Sequence, residues 1–162
     1  MNAPVQIWPN NDQRDDTQLS PANITEVAPA DRPRTADAVR KLTAEECLAL
    51  LRTHYIGRVA WQAADGPRIM PVSYRLTASG IQIQTAIGTR VAQLRRGYEV
   101  AFEVDHVNSQ TRSGWSVIAR GRSGPGADQL DDDHRVLPWS NTPAVIAIMV
   151  AVSTITGRSF TP

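Results

Sequence analysis

From Thr43 onward the apolar and polar residues recur with two different periods, and each change of period marks a new element. Thr43 and Glu46 have the spacing of a capping box, with Leu42 and Cys47 at the flanking positions of a hydrophobic staple. Cys47, Leu48, Leu50 and Leu51 continue as an apolar stripe, which predicts a helix to about Arg52. At Tyr55 the period shortens to two. Gly57, Val59 and Trp61 alternate with Arg58, Ala60 and Gln62, as in a strand with one buried face. The turn at Ala64-Asp65-Gly66-Pro67 leads into a second strand, Arg68 to Leu76. Pro71 has no N–H for a ladder, so that strand must be interrupted, bulged or at an edge there. After Ala78-Ser79-Gly80, residues Ile81, Ile83 and Thr85 mark one face of a third strand. A short helix is expected over Thr89–Arg96, with Val91 and Leu94 inward and Gly97 as its C′ residue. Val100, Phe102 and Val104 mark a fourth strand, and Trp115, Val117 and Ala119 a fifth. Gly124 to His134 is turn-rich and then acidic, in keeping with a surface helix. The apolar run Ala144–Val152 is rich in β-branched residues and reads as a sixth strand. About six closely spaced strands with a few short helices predict a mainly β fold, a small antiparallel barrel.

Residues 1 to 35 follow neither period. Pro4, Pro9, Pro21, Pro29 and Pro33 lie among Asn, Asp, Gln and Thr, which suits a disordered tail. The alternative is an arm wrapping a partner subunit, with Ile7 and Trp8 as anchors. Residues 36–162 then form the folded domain. The chain of 162 residues is long enough for one such domain and hardly for two. A net charge of +1, with basic residues spread along the chain, steers it to neither nucleic acid nor a membrane surface. The single cysteine excludes an intramolecular disulfide, and no charged-then-apolar leader opens the sequence. The longest apolar run falls well short of the roughly 20 residues of a membrane-spanning helix. A soluble cytoplasmic protein is expected.

Most chemical signatures are missing. There is no Gly-rich dinucleotide fingerprint, phosphate-binding P-loop or CxxC pair. His54, His106 and His134 lack metal-ligand spacing, and Asp131, Asp132 and Asp133 read as a solvated acidic turn. Ser113-Gly114-Trp115-Ser116 lacks the strand–elbow–helix pattern of a hydrolase nucleophile. One segment does suggest a ligand: strand three ends at Thr85, Gly88 follows, and Thr89-Arg90 opens the expected helix. Free backbone N–H groups, two hydroxyls and a guanidinium there suit a phosphate. Thr89 as a plain N-cap, with Arg90 solvated, fits the same residues.

These segments, in order, resemble a known family. Ile56-Gly57-Arg58-Val59-Ala60, Arg68-Ile69-Met70-Pro71-Val72-Ser73-Tyr74, Thr85-Ala86-Ile87-Gly88-Thr89-Arg90 and Val100-Ala101-Phe102-Glu103-Val104-Asp105 are similar to the pyridoxamine 5′-phosphate oxidase-like FMN-binding split-barrel family. Ser113-Gly114-Trp115-Ser116-Val117, Arg120-Gly121-Arg122 and Thr156-Gly157-Arg158 extend the resemblance over about residues 42–160. It implies a six-stranded antiparallel split β-barrel that forms a homodimer with FMN at the subunit interface. Thr85, Thr89 and Arg90 would hold the FMN phosphate. Met70, Pro71, Val72 and Ser73 would line the isoalloxazine ring, largely through backbone atoms, and Trp115 would pack near it or simply fill the core. A flavin-dependent oxidoreductase acting on a small molecule is the implied function. The alternatives are a reductase using deazaflavin F420, with Arg68, Arg95 and Arg96 toward its acidic tail, and a flavin-binding module without turnover. The C-terminal signature that binds the vitamin's phosphate is missing, so oxidation of vitamin B6 is not expected. Relatives often carry an Arg in the last strand, where this chain has Ile148-Met149-Val150.

Overall fold

In the computed structural model, helix α1 (Ala44–Thr53) begins where the capping box places it. The Thr43 hydroxyl accepts from the Glu46 N–H at 3.2 Å, and the Glu46 carboxylate accepts from the Thr43 N–H at 2.8 Å. That backbone hydrogen bond, followed by one from Arg40, holds the Glu46 carboxyl below its ordinary range. The residues described are 25–26, 38–127 and 145–161. The acidic turn at Asp131–Asp133, His134 and most of the N-terminal arm lie outside them.

Six strands close a ring. β3 (Ile56–Ala63), β4 (Gly66–Thr77), β5 (Gly80–Ala86), β6 (Glu99–Asn108), β7 (Ser113–Pro125) and β8 (Val145–Thr161) pair in the order β8-β5-β4-β3-β6-β7, and β7 pairs back to β8. Every pairing in the ring is antiparallel. The expected antiparallel split barrel is the fold, and Ala144–Val152 falls almost wholly in a strand. Two shorter strands that the apolar pattern does not announce add to β8. β2 (Ala38–Leu42) pairs with it antiparallel, and β1 (Thr25–Glu26) pairs parallel, opposite Thr154 and Ile155. Within the segment read as tail or arm, those two residues therefore pair with their own barrel.

At 17 residues β8 is long enough to pair with β1, β2, β5 and β7. Its pairing with β7 slips between Arg120 and Gly121, leaving Ser153 unpaired, and the Ser153 hydroxyl donates to the Arg120 carbonyl at 3.1 Å. Glycine is required at the slip, since a Cβ on Gly121 would stand 2.0 Å from the Ala151 carbonyl oxygen.

Two expectations are corrected. β5 is buried on both faces, rather than only through Ile81, Ile83 and Thr85. Gln82, on its other face, accepts from Arg75 at 3.2 Å and donates to the Ala127 carbonyl at 3.3 Å, so its polar groups are satisfied under cover. The helix expected over Thr89–Arg96 is a 3₁₀ helix confined to Val91–Arg96, with Thr89 and Arg90 in the preceding turn. Val91 and Leu94 do point inward, and Gly97 ends the helix at φ 85°.

The core runs from α1 through the barrel: Leu48, Leu51, Tyr74, Ile81, Ile83, Leu94, Phe102 and Ile148 are almost fully buried. The Tyr74 hydroxyl donates to the Leu51 carbonyl at 2.8 Å, satisfying a helix C-terminal acceptor that no N–H of α1 reaches. Burial pushes the Tyr74 phenol's pKa up. Tyr74→Phe keeps the ring and strands the carbonyl. Equilibrium urea unfolding should show a loss of about 1–3 kcal/mol, and an unchanged midpoint would refute this role.

Candidate functional site

The barrel is split between β4 and β5. β5 pairs with β4 only from Ser73, opposite Gln84, to Thr77, whereas Gly66–Val72 pair with β3 alone. Beyond Gln84, Thr85 and Ala86 pair with Ile146 and Val145 of β8. The two strands therefore part between Val72 and Thr85. Pro71 lies on the open side. Of the three expectations for it the edge holds: β4 runs through Pro71 without interruption or bulge. Side chains along Met70–Ser73 alternate between the faces of the sheet, with Val72 and Ser73 buried and Pro71 exposed. Met70, Pro71 and Val72 lie along the open backbone edge, whose unpaired polar groups are available to a ligand, and Ser73, paired with Gln84, closes its end.

The far bank of the split is the loop Thr85–Arg90. Its hydroxyls brace the loop. Thr85 Oγ1 and Thr89 Oγ1 are 2.8 Å apart, and the Thr89 hydroxyl donates to the Ala86 carbonyl at 3.0 Å. Thr85 must then donate to Thr89, so neither hydroxyl hydrogen is free for an anion in this arrangement. The helix-dipole argument lapses too, because a six-residue 3₁₀ helix has little macrodipole. Gly88 sits at φ 86° with nothing within 4 Å of a hypothetical Cβ, so it serves the turn rather than close packing.

The cationic groups make up the difference. Arg90 is exposed and makes no hydrogen bond or ion pair among the described residues. Arg68, across from Trp61 on the inner face of the barrel, donates to Asp65 at 2.5 Å. The Asp65 carboxyl is held below its ordinary range by that Arg68 bond foremost, and by the charge of Arg90 as a smaller cause. Arg68 and Arg90 thus act on one carboxylate beside the split. Two buried donors there are orphaned: Arg68 Nε and Trp61 Nε1 have no partner among the described residues. Buried donors without partners are costly, and an anion at this point would satisfy them. Sequence reasoning gave Arg68 to an alternative cofactor's tail and missed Trp61. The signal was Trp61 and Arg68 flanking the tight turn Ala64-Asp65-Gly66-Pro67.

Trp115 stands apart from this bank. It is half-buried on β7, with the His54 ring edge-on at 4.8 Å and the His106 ring stacked at 6.4 Å. Trp115 and Pro71 line different cavities of the chain. His54 touches both, lining the Pro71 cavity and meeting the indole. Among the described residues no three His, Cys, Asp or Glu side chains gather as metal ligands, and no helix is long and apolar enough to cross a membrane.

The sequence pattern of the pyridoxamine 5′-phosphate oxidase family matches residues 43–145, which hold both banks of the split. The chain belongs to that family. An uncharacterised Mycobacterium tuberculosis protein, Rv0080, is 29% identical over 133 residues, 77% of this chain and 88% of its own. A Corynebacterium glutamicum structure provisionally named for the same oxidase is 29% identical, with a TM-score of 0.63 over 76% of this chain and 99% of its own. An FAD-binding protein from Mycobacterium smegmatis is 27% identical, with a TM-score of 0.58 over 76% of this chain and 99% of its own.

Proposed function

We propose that the chain binds the FMN group through its phosphate and ring, and acts as a flavin-dependent oxidoreductase on a small molecule. The observation that carries this reading is the split with orphaned cationic donors on its banks. Arg90 and Arg68 would hold the phosphate with the Thr85–Thr89 loop, the hydroxyls of Thr85 and Thr89 turning outward to share it. Met70, Pro71, Val72 and Ser73 would offer backbone N–H and C=O groups to the polar edge of the ring. A bound flavin supplies hydride or electron transfer, so no side-chain acid or base is required for that step. The protein's part is to place the ring in the split and shield one face.

The second face would be closed by a second copy, as a homodimer with Trp115 of the partner subunit over the ring. Support comes from the outer surface beside Pro71, where Tyr55 and Ile69 are 70% and 61% exposed. Large apolar groups at such exposure beside a cavity suit an interface. A reducing cytoplasmic setting suits the single buried Cys47.

FMN, FAD and F420 are separated by one measurement. The purified protein should be yellow, and denaturation should release FMN, identified by chromatography and mass. FAD, the cofactor for which the M. smegmatis relative is named, would keep the same phosphate and ring contacts here and add a nucleotide beyond them. Released F420 would shift the assignment to the deazaflavin. Colourless protein that gains no flavin absorbance on titration with any of the three would overturn the proposal. Flavin-loaded protein that neither a nicotinamide donor nor a reduced flavin pool can reduce would leave a binding module.

A further inference from the structure

We propose that the cavity beside Pro71, lined by His54, Tyr55, Ile56, Arg58 and Asp105, is a subsite selective for neutral aromatic carboxamides. Its place next to a flavin rests on the function proposed above, but its selectivity rests on this chain's own groups. The cavity measures about 310 Å³, at the small end of ligand sites and large enough for a single substituted ring. Tyr55, Ile56 and Pro71 supply apolar walls. Beside the Tyr55 hydroxyl, which can donate or accept, three polar side chains line it: His54, Arg58 and Asp105.

His54 comes first. Its Nδ1 lies 2.9 Å from the Leu50 carbonyl, which can only accept, so Nδ1 carries the hydrogen. In the neutral ring, Nε2 is then an acceptor, and it makes no hydrogen bond among the described residues. Thr53 Oγ1, 3.0 Å from Nδ1, and the T-shaped contact with Trp115 hold the ring's orientation. The other two groups are a closed ion pair, Arg58 with Asp105. One Arg58 nitrogen is engaged, leaving guanidinium N–H groups to donate, and the second Asp105 oxygen can accept. The pair has no net charge, so a charged ligand would gain from one partner and be repelled by the other.

The complement of two acceptors and one donor at zero charge is a primary carboxamide. Its N–H groups donate to His54 Nε2 and Asp105, and its carbonyl accepts from Arg58. A carboxylate of the same size has no donor and is repelled by Asp105. A ketone keeps the carbonyl and loses both N–H groups. The reacting partner of the flavin, donor or acceptor, is accordingly expected to carry such an amide on a planar ring.

Benzamide, benzoate and acetophenone test this, titrated by NMR into the full-length protein with its histidine rings ¹⁵N-labelled, with and without flavin. Benzamide should bind at least about tenfold more tightly than either isostere, and should move the His54 Nε2 resonance. His54→Phe should erase the benzamide preference, and Asp105→Asn should narrow the gap between benzamide and benzoate, with far-UV circular dichroism as in the parent. Equal binding of the three probes, or benzamide binding that leaves the His54 resonance in place, would overturn the subsite. Flavin uptake without benzamide selectivity retires the subsite alone. Benzamide selectivity in a protein that takes up no flavin retires the flavin reading and keeps the subsite.

Discussion

Replacing Arg68 and Arg90 together by alanine is expected to weaken FMN binding by two to four orders of magnitude. Each guanidinium in a charge-assisted contact with phosphate contributes about 1.5–3 kcal/mol. The sum is about 3–6 kcal/mol, and every 1.4 kcal/mol is roughly tenfold in affinity. The two are not equivalent. Arg90 makes no hydrogen bond or ion pair among the described residues, so Arg90→Ala removes a phosphate contact and little else. Arg68 is already bonded to Asp65, so Arg68→Ala also releases that carboxylate beside the phosphate. Its anionic charge would then repel the ligand, and the loss at Arg68 should be the larger of the two. Riboflavin, which has the ring and no phosphate, supplies the control. It should bind parent and double variant alike. A parallel fall for FMN and riboflavin would mean that the arginines support the fold and hold no phosphate.

That ranking of arginines was not legible in the sequence, and the reason is register. Period-two alternation places Val59, Trp61, Val100 and Phe102 inside, and the structure agrees, because one buried face is enough to produce the pattern. Alternation says nothing of which strand lies opposite which. The pairing of Trp61 with Arg68, and the parting of β4 from β5 on the N-terminal side of Ser73, are set by the register of two neighbouring hairpins, which alternation alone does not give. The capping box at Thr43 was legible because both its partners are local. The Thr85–Arg90 loop was legible as a place, and the Thr89 hydroxyl accepts from the Ala92 N–H at 3.3 Å as a cap does, but the helix after it is 3₁₀ and starts later than expected. The hydroxyl chain from Thr85 through Thr89 to Ala86 holds a turn there and delays the helix to Val91. The Thr156-Gly157-Arg158 motif was likewise visible without its meaning. A Cβ on Gly157 would lie 2.5 Å from Cys47 Sγ, so the glycine is the seat on which α1 meets β8. In the sequence His54 is one of three scattered histidines, yet the fold sets it between Trp115 and the Pro71 cavity.

Phe102→Ala is expected to be the most damaging single substitution in the barrel, at about 3–5 kcal/mol. The ring is fully buried, meets Tyr74 edge-on at 4.8 Å, and fills the space over Gly57. A Cβ on Gly57 would lie 2.3 Å from Phe102 Cζ, so the small residue and the large one are a matched pair across β3 and β6. With total stabilities of about 5–15 kcal/mol usual for such domains, the loss takes a large share. Urea unfolding should show a lower midpoint at an unchanged slope, the signature of a cavity rather than a looser unfolded state. The pair offers a sharper measurement. Gly57→Ala alone should destabilise, because the aromatic ring and the Glu103 carbonyl, 2.9 Å from the added carbon, both stand in its way. In the Phe102→Ala background the aromatic obstacle is gone and the new methyl enters the vacated space. Gly57→Ala should therefore cost less there than in the parent, a non-additivity that reports direct contact. If the two changes simply add, the ring is not packed against Gly57, and the large cost of Phe102→Ala must come from its contacts with Tyr74 and the rest of the core.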